Sequence, residues 1–229
     1  MVRPGYPWRV FFIRPPGVYA PQEDTGMLAA ALRRETLRPG AEVLDVGTGS
    51  GALAVAAARH GAGRVTAVDA ALAAVLTTRL NAWFAGHRGQ VRAYRGDLLR
   101  PVAGHRFDLI MANPPYVPCA APVPPRGGRA RAWDAGPDGR AVLDRLCAQA
   151  PTLLAPDGVL LLVHSGLCDP VRTVELLAGA GLKAAVTDRR SVPFGPVLRR
   201  RAAWLEAQGL TAPGQDKEEL VVVRAQRPA

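Results

Sequence analysis

The stretch from Glu42 to His60 constrains this chain more than any other. A short apolar strand, Glu42-Val-Leu-Asp-Val46, runs directly into Gly47-Thr48-Gly49-Ser50-Gly51, and an Ala-rich segment follows to His60. Glycines at alternate positions let the backbone close tightly and approach a ligand, while the helix behind them presents unpaired N–H groups. A strand, a Gly-rich turn and a helix in that order form the opening of a βαβ unit.

The alternation continues downstream. Arg64–Val68 reads as a second strand, and the helix after it places Leu72, Val75, Leu76, Leu80 and Trp83 on one face. Val91–Tyr94 and Phe107–Met111 are the third and fourth strands. A helix is marked by Val142, Leu143, Leu146, Ala150, Leu153 and Leu154, and Gly158–Val163 is a fifth, continuously apolar strand. A helix near Pro170–Ala178 and strands at Leu182–Asp188 and Glu219–Arg224 complete the series. Upstream, Met27, Leu28, Ala31, Leu32 and Glu35 predict a helix over Thr25–Arg38 that Pro39-Gly40 ends. Strands alternating with amphipathic helices predict an α/β fold, a doubly wound parallel sheet covered on both faces, with its site at the carboxyl ends of the strands.

A length of 229 residues suits a single domain, 1–229. Residues 1–20 read as an extended arm with a short strand at Val10–Ile13. Two stretches break the alternation: Val117–Asp138, dense in Pro, Gly and Arg, and Arg189–Gln215, which contains a basic helix at Val197–Gln208. Both are expected on the substrate side.

The formal net charge is +10, which suits a partner rich in phosphate or carboxylate. Nearly all of the positive charge is Arg, with Lys only at 183 and 217, so GC-rich coding produces the same balance. Cys119, Cys147 and Cys168 are widely spaced and offer neither a disulfide framework nor a zinc site. His60, His87, His105 and His164 are equally scattered, and no metal is expected. No run reaches the ~20 apolar residues that span a bilayer, and the N-terminus lacks a secretory apolar core. A soluble, cytoplasmic protein without membrane contact is the expectation.

Three acids stand at successive strand ends beside the Gly turn: Asp45, Asp69 and Asp97. At the end of the second strand, the Asp69 carboxylate is placed to accept both hydroxyls of a ribose. Asp97 follows the third strand, within reach of an adenine amino group. Asp45, just before the turn, would repel a pyrophosphate and suits the cationic end of an amino-acid-bearing nucleoside. S-adenosylmethionine matches that pattern better than NAD.

The fourth strand ends in Asn113-Pro114-Pro115-Tyr116. The Asn113 side-chain oxygen and the Pro114 carbonyl, stiffened by Pro115, are two acceptors that can converge on one NH2 group. Such a grip turns a delocalised amide-like nitrogen toward an electrophile and stabilises the charge it gains. Tyr116 can stack on the planar face. Orientation rather than a strong base then drives the reaction. Asn113, Pro114 and Tyr116 are the candidate catalytic residues, and Asn113, Pro115, Tyr116 and Trp133 the candidate substrate contacts.

With both constellations in view, the chain resembles class I methyltransferases of the HemK/PrmC type, which methylate glutamine side chains in release factors. The likeness rests on Val18-Tyr19-Ala-Pro21-Gln-Glu23-Asp24-Thr25, the Asp45–Gly51 turn, Asp69, Asp97-Leu98, Asn113–Tyr116 and Ala132-Trp133-Asp134-Ala-Gly136-Pro-Asp138-Gly139. The last segment carries Ala135 where the family often has Gly. With its Gly turn beginning at Gly47, the chain resembles the short branch, without an N-terminal helical domain. The resemblance implies a Rossmann-like sheet of seven strands, mostly parallel, with the last antiparallel. It also implies an S-adenosylmethionine site from Thr25, Gly47, Asp69, Asp97, Leu98 and Asn113, to which the turn itself adds Asp45, Thr48 and Gly49. For the short branch it implies, in some members, a small activator subunit.

The leading expectation is methylation of a Gly-Gly-Gln loop of a translation release factor. The alternatives are an exocyclic amine of nucleic acid such as adenine N6, approached past Arg126, Arg129, Arg131 and Arg199–Arg201, and a small molecule or peptide. A non-catalytic binding module is the remaining reading.

Overall fold

The computed structural model describes residues 13–123, 125 and 127–228. The strand expected at Val10–Ile13 falls outside them except for Ile13, and so does Arg126. Seven strands make one sheet: β1 Glu42–Val46, β2 Arg64–Asp69, β3 Val91–Arg95, β4 Phe107–Ala112, β5 Leu154–Ser165, β6 Lys183–Pro193 and β7 Lys217–Gln226. Their order is β3-β2-β1-β4-β5-β7-β6. β1 to β5 pair in parallel, and β7 runs antiparallel to β5 and β6. This is the doubly wound arrangement expected, with the order reversing between β1 and β4. Ligands bind at such a switch point, where connections leave to opposite faces. The central strands are buried on both sides; Val43, Leu44, Leu109, Ile110, Met111 and Leu162 are sealed from solvent.

The helices are α1 Glu23–Leu32, α2 Ala52–Arg59, α3 Leu72–Phe84, α4 Leu143–Gln149, α5 Pro170–Gly179 and α6 Pro196–Ala207. α1 packs on α2 and α2 on α3, while α4 packs on α5. None of the helices among the described residues is long and apolar enough to cross a membrane.

Several boundaries differ from the sequence expectation. α1 stops at Leu32 rather than Arg38. The chain tightens there, with the Arg34 and Glu35 N–H groups donating to Ala31 O and Leu32 O at 3.0 Å, and the Glu35 carboxylate is held by Arg224 of β7 at 2.7 and 3.1 Å. The helix expected through Leu154 ends at Gln149 and tightens into a 3-10 turn over Ala150–Leu153, where Pro151 has no N–H to continue it. β5 starts at Leu154 instead of Gly158, and β6 extends to Pro193. The insertion expected from Arg189 therefore begins at Phe194. Its basic helix forms as α6, and Phe194 with Leu198 and Leu205 of α6 makes a small second core against Val117.

The largest correction concerns α3. Of the apolar residues that share one face in the sequence, Val75 is buried, while Leu72, Leu76 and Trp83 are each about half exposed, at 51%, 53% and 52%. The buried face is Ala74, Val75, Thr77, Thr78, Asn81 and Ala82. Small and hydrogen-bonding residues face inward because α3 approaches the Gly turn closely. Asn81 Nδ2 donates to Ser50 O at 2.8 Å, and the Asn81 side chain also pairs with both backbone groups of Ile13, at 2.8 and 2.9 Å. A large apolar side chain satisfies none of these groups.

Candidate active site

The site begins where β1 ends. The Gly47 and Thr48 amides donate to Val68 O at 2.8 and 3.1 Å, which folds the turn over the end of β2. Gly51 has φ +81°, and a Cβ there would lie 2.9 Å from Thr78 Cγ2. Only glycine lets α2 start that close to α3. Asp45 is fully buried beneath the turn and accepts from Thr48 Oγ1 at 2.6 Å. Burial pushes its carboxyl up to about 7, against the hydrogen bond from Thr48. The Ala54 N–H favours the charged form, yet Asp45 Oδ1 lacks a hydrogen-bond partner of ordinary geometry. Asp45 lies behind Thr48, outside the cavity wall.

Asp69, at the end of β2, accepts from Gly49 N at 3.0 Å through Oδ2 and from Ala71 N at 2.8 Å through Oδ1. Each oxygen keeps a lone pair for a further donor, the arrangement that two vicinal hydroxyls require. Burial raises its carboxyl, while the Ala71, Gly49 and Ala70 amides and the Arg131 charge oppose the shift. Asp97 lines the next part of the wall, half exposed and paired with Arg145 at 2.5 Å. Leu98 beside it has φ +48°, a left-handed conformation rare for a branched side chain. Such strain collects at functional sites, and here it sets the backbone between Asp97 and Leu99.

The Asn113–Tyr116 loop leaves β4 next to the turn. Asn113 Nδ2 lies 3.4 Å from Thr25 Oγ1. Tyr116 is buried, and its hydroxyl donates to Asp24 Oδ2 at 3.0 Å; the Tyr19 hydroxyl donates to the same atom at 2.7 Å. Asp24 Oδ1 accepts from the Thr25 N–H and hydroxyl, at 2.6 and 3.1 Å. Burial first, and the Asp24 charge second, hold both phenols well above their ordinary range. Tyr116 is therefore a neutral ring fixed at both ends.

Behind the loop, Val117 and Cys119 pair with the segment after Trp133. The Val117 N–H donates to Trp133 O at 2.7 Å, Ala135 N–H to Val117 O at 3.0 Å, and Cys119 N–H to Gly136 O at 2.9 Å. Gly139, with φ +71°, passes so close that a Cβ would lie 2.4 Å from Tyr116 O. That carbonyl accepts the Cys168 thiol at 2.9 Å. The guanidinium of Arg140, almost fully buried, reaches Cys168 O, Asp169 O, Thr173 Oγ1 and Asp144. Arg201 of α6 binds Asp134 at 2.7 Å and Pro118 O at 2.9 Å. The Pro-rich stretch is thus a braced platform under Tyr116.

These elements enclose one cavity of about 1990 Å³, whose wall includes Thr25, Gly47, Asp69, Leu98, Asn113 and Trp133. Thr48, Gly49, Asp97, Pro114, Pro115 and Tyr116 complete the expected set, so of the sequence candidates only Asp45 stands back from the cavity. Typical small-ligand sites are roughly 300–1,000 Å³, so this space suits a nucleoside cofactor together with part of a second, larger molecule. Arg14, Arg129, Arg199 and Arg200 stand exposed at its rim. Among the described residues no cluster of His, Cys, Asp or Glu has the form of a metal site.

Sequence reasoning gave no role to Asp24, Tyr19, Arg140 or Glu218. The first two sit in a segment already singled out; Arg140 and Glu218 carry no local signal.

The Methyltransferase small domain family model matches residues 9–121. A Methanocaldococcus jannaschii protein, provisionally named protein N5-glutamine methyltransferase, is 32% identical over 183 residues, spanning 80% of this chain and 90% of that one. The release factor glutamine methyltransferase of Moorella thermoacetica is 38% identical over 154 residues, 64% of this chain and 54% of that one. This chain thus spans about half the length of the longer relatives. Among solved structures, the methyltransferase of the E. cuniculi Mtq2–Trm112 complex, described as methylating the termination factor eRF1, shares the fold. Its TM-score is 0.59 at 24% identity, over 92% of this chain and 99% of that one. The chain belongs to the protein N5-glutamine methyltransferase family, and it is an S-adenosylmethionine-dependent N-methyltransferase.

Proposed function

We propose, with that membership as premise, that the enzyme methylates the side-chain amide of the glutamine in a Gly-Gly-Gln loop of a translation release factor. The observation that carries this reading is the Asn113–Tyr116 loop, which lines the same cavity as Gly47 and Asp69 while Asp24 fixes its tyrosine. Residues 1–229 act as a single catalytic domain in the cytoplasm.

The residues fit the cofactor. The Gly47–Gly49 turn leaves room for close approach, Asp69 keeps an acceptor on each oxygen for a ribose, and Asp97 and Leu98 flank the place of the base. Thr25 and Asn113, which face each other, would hold its amino-acid side, and Asp45 braces Thr48 from below. When bound, S-adenosylmethionine supplies a methyl group on a cationic sulfur, so the acceptor nitrogen needs aim more than it needs a base. Asn113 and Pro114 supply two oxygens for the NH2 group. The neutral Tyr116 ring, with Pro115 and Trp133, receives the flat amide and keeps water from it.

The arginine rim favours a second reading, methylation of an exocyclic amine in RNA or DNA, since Arg14, Arg129, Arg199 and Arg200 would face a phosphate backbone. Labelling decides between them: a release factor should take up methyl while its Gln→Ala variant and total RNA do not. Equal labelling of both factors, or salt-sensitive labelling of RNA, removes the glutamine reading.

A small activator subunit is also part of this proposal. The exposed stripe of Leu72, Leu76, Leu80, Trp83 and Phe84 on α3 is the apolar surface it would cover. Replacing Leu76 and Trp83 with Lys should then abolish co-purification of the subunit without unfolding the enzyme; retention on the double variant counts against that surface.

A further inference from the structure

Among the described residues β7 is the one strand that runs against both its neighbours, so it brings its beginning to the edge where the parallel strands bring their ends. Glu218 sits at that beginning, opposite Val192 in the β6 register and two residues before the Leu220–Ser165 pair. The residue is part of the cavity wall that Tyr116 also lines, yet it is only 9% exposed, and its buried Oε2 has no hydrogen-bond partner. A buried carboxyl oxygen left open is costly unless a ligand completes it.

The groups facing it define that ligand. Asp24 of α1 approaches from one side, Ser165 and Cys168 from the end of β5 and the turn beyond it, and the Tyr19 and Tyr116 phenols from the loops. Val192, opposite on β6, carries no charge. The hydroxyl protons of Tyr19, Tyr116 and Thr25 all point to Asp24. Burial foremost, with the Asp24 charge, pushes the Glu218 carboxyl up to about 7, while Ser165 pulls the other way. At and below neutral pH it therefore has a proton to give, which the neighbouring hydroxyls do not.

An amide held by its NH2 group still has a carbonyl oxygen to satisfy. We propose that Glu218 binds the acceptor, its carboxyl donating a hydrogen bond to the carbonyl oxygen of the amide whose nitrogen Asn113 and Pro114 hold. This assignment rests on the glutamine reading. It makes Glu218 a specificity residue: an aromatic amine such as adenine N6 has no carbonyl on the carbon that carries it.

The test compares native enzyme, Glu218→Ala and Glu218→Gln on a release-factor domain, with S-adenosylmethionine affinity measured separately by calorimetry. Glu218→Ala should raise KM for the protein acceptor by about tenfold, the worth of one hydrogen bond, and leave cofactor affinity unchanged. Glu218→Gln keeps an N–H donor and should restore most of the loss. In the native enzyme KM should climb as pH rises through about 7 and the proton leaves; in Glu218→Gln it should stay flat. An unchanged KM in Glu218→Ala, or a Glu218→Gln pH profile parallel to the native one, overturns the assignment alone. Failure of the native enzyme to label the factor sinks the glutamine reading and takes this assignment with it.

Discussion

The Tyr116 hydroxyl donates to Asp24 Oδ2 at 3.0 Å, tying the acceptor loop to helix α1 across 92 positions of sequence. Thr25, the next residue, faces Asn113 from the same helix turn. One carboxylate thereby sets the positions of both sides of the proposed reaction: the ring that receives the acceptor and the hydroxyl beside the loop's asparagine.

Removing that carboxylate leaves two phenols and the Thr25 groups without an acceptor. Asp24→Ala should lower stability on the order of 3 kcal/mol in urea unfolding. Asp24→Asn, which retains one acceptor oxygen, should lose less. Tyr116→Phe keeps the ring and should lose about 1 kcal/mol. Equal stabilities for Asp24→Ala and the native protein would show that the clamp is not formed.

Asp69 joins the Gly turn to the end of β2, and the proposed function gives its remaining lone pairs to the ribose. Asp69→Ala should weaken S-adenosylmethionine binding by roughly 10- to 100-fold in calorimetry, the scale of hydrogen bonds to a charged group. Native-like affinity would move the ribose away from this carboxylate.

Gly51 lies against Thr78 in a backbone conformation that L-residues avoid. Gly51→Ala should cost about 2 kcal/mol or more, from the steric clash and the φ together. The double variant Gly51→Ala/Thr78→Ser, which removes the Cγ2 methyl, should recover part of it. No recovery would assign the whole cost to φ.

Much of this site is written locally. The Gly turn, Asp69, Asp97 and the Asn113–Tyr116 loop all sit at strand ends, where the chain itself delivers residues to the ligand edge, in the order Asp97, Asp69, Gly turn, Asn113 across the sheet. What is missing from the sequence depends on distant packing. The apolar stripe of α3 reads as a core face by period alone; the bonds from Asn81 to Ser50 and Ile13 turn it outward. Glu218 reads as one acid in the Lys217-Glu-Glu219 run, and only the reversed direction of β7 carries it to Asp24. Arg140 looks like any surface arginine, although its guanidinium organises the turn behind Tyr116.

The buried Asp45 gives a pH signature. Its folded-state carboxyl is raised from 3.8 to about 7, so the fold disfavours its charged form. The resulting cost is absent below pH 3.8, grows as pH rises to 7 and is constant above that, with an upper bound of ~4 kcal/mol. Asp45→Asn still accepts from Thr48 and carries no charge. It should match the native protein near pH 4 and exceed its stability at pH 8. A pH-independent difference between the two would mean that Asp45 does not titrate there.

The central claim is that a glutamine amide is gripped by the Asn113 and Pro114 oxygens within reach of the cofactor site. Fragment mass spectrometry of a release factor after incubation with native enzyme and with Asn113→Ala tests it most directly, with cofactor affinity matched by calorimetry. The account predicts one methyl group on the glutamine of the Gly-Gly-Gln loop with native enzyme. It predicts a loss of about a thousandfold in rate with Asn113→Ala, on the scale of removing a key polar contact to the reacting group. A methyl group on another residue, or near-native labelling by Asn113→Ala, would contradict it.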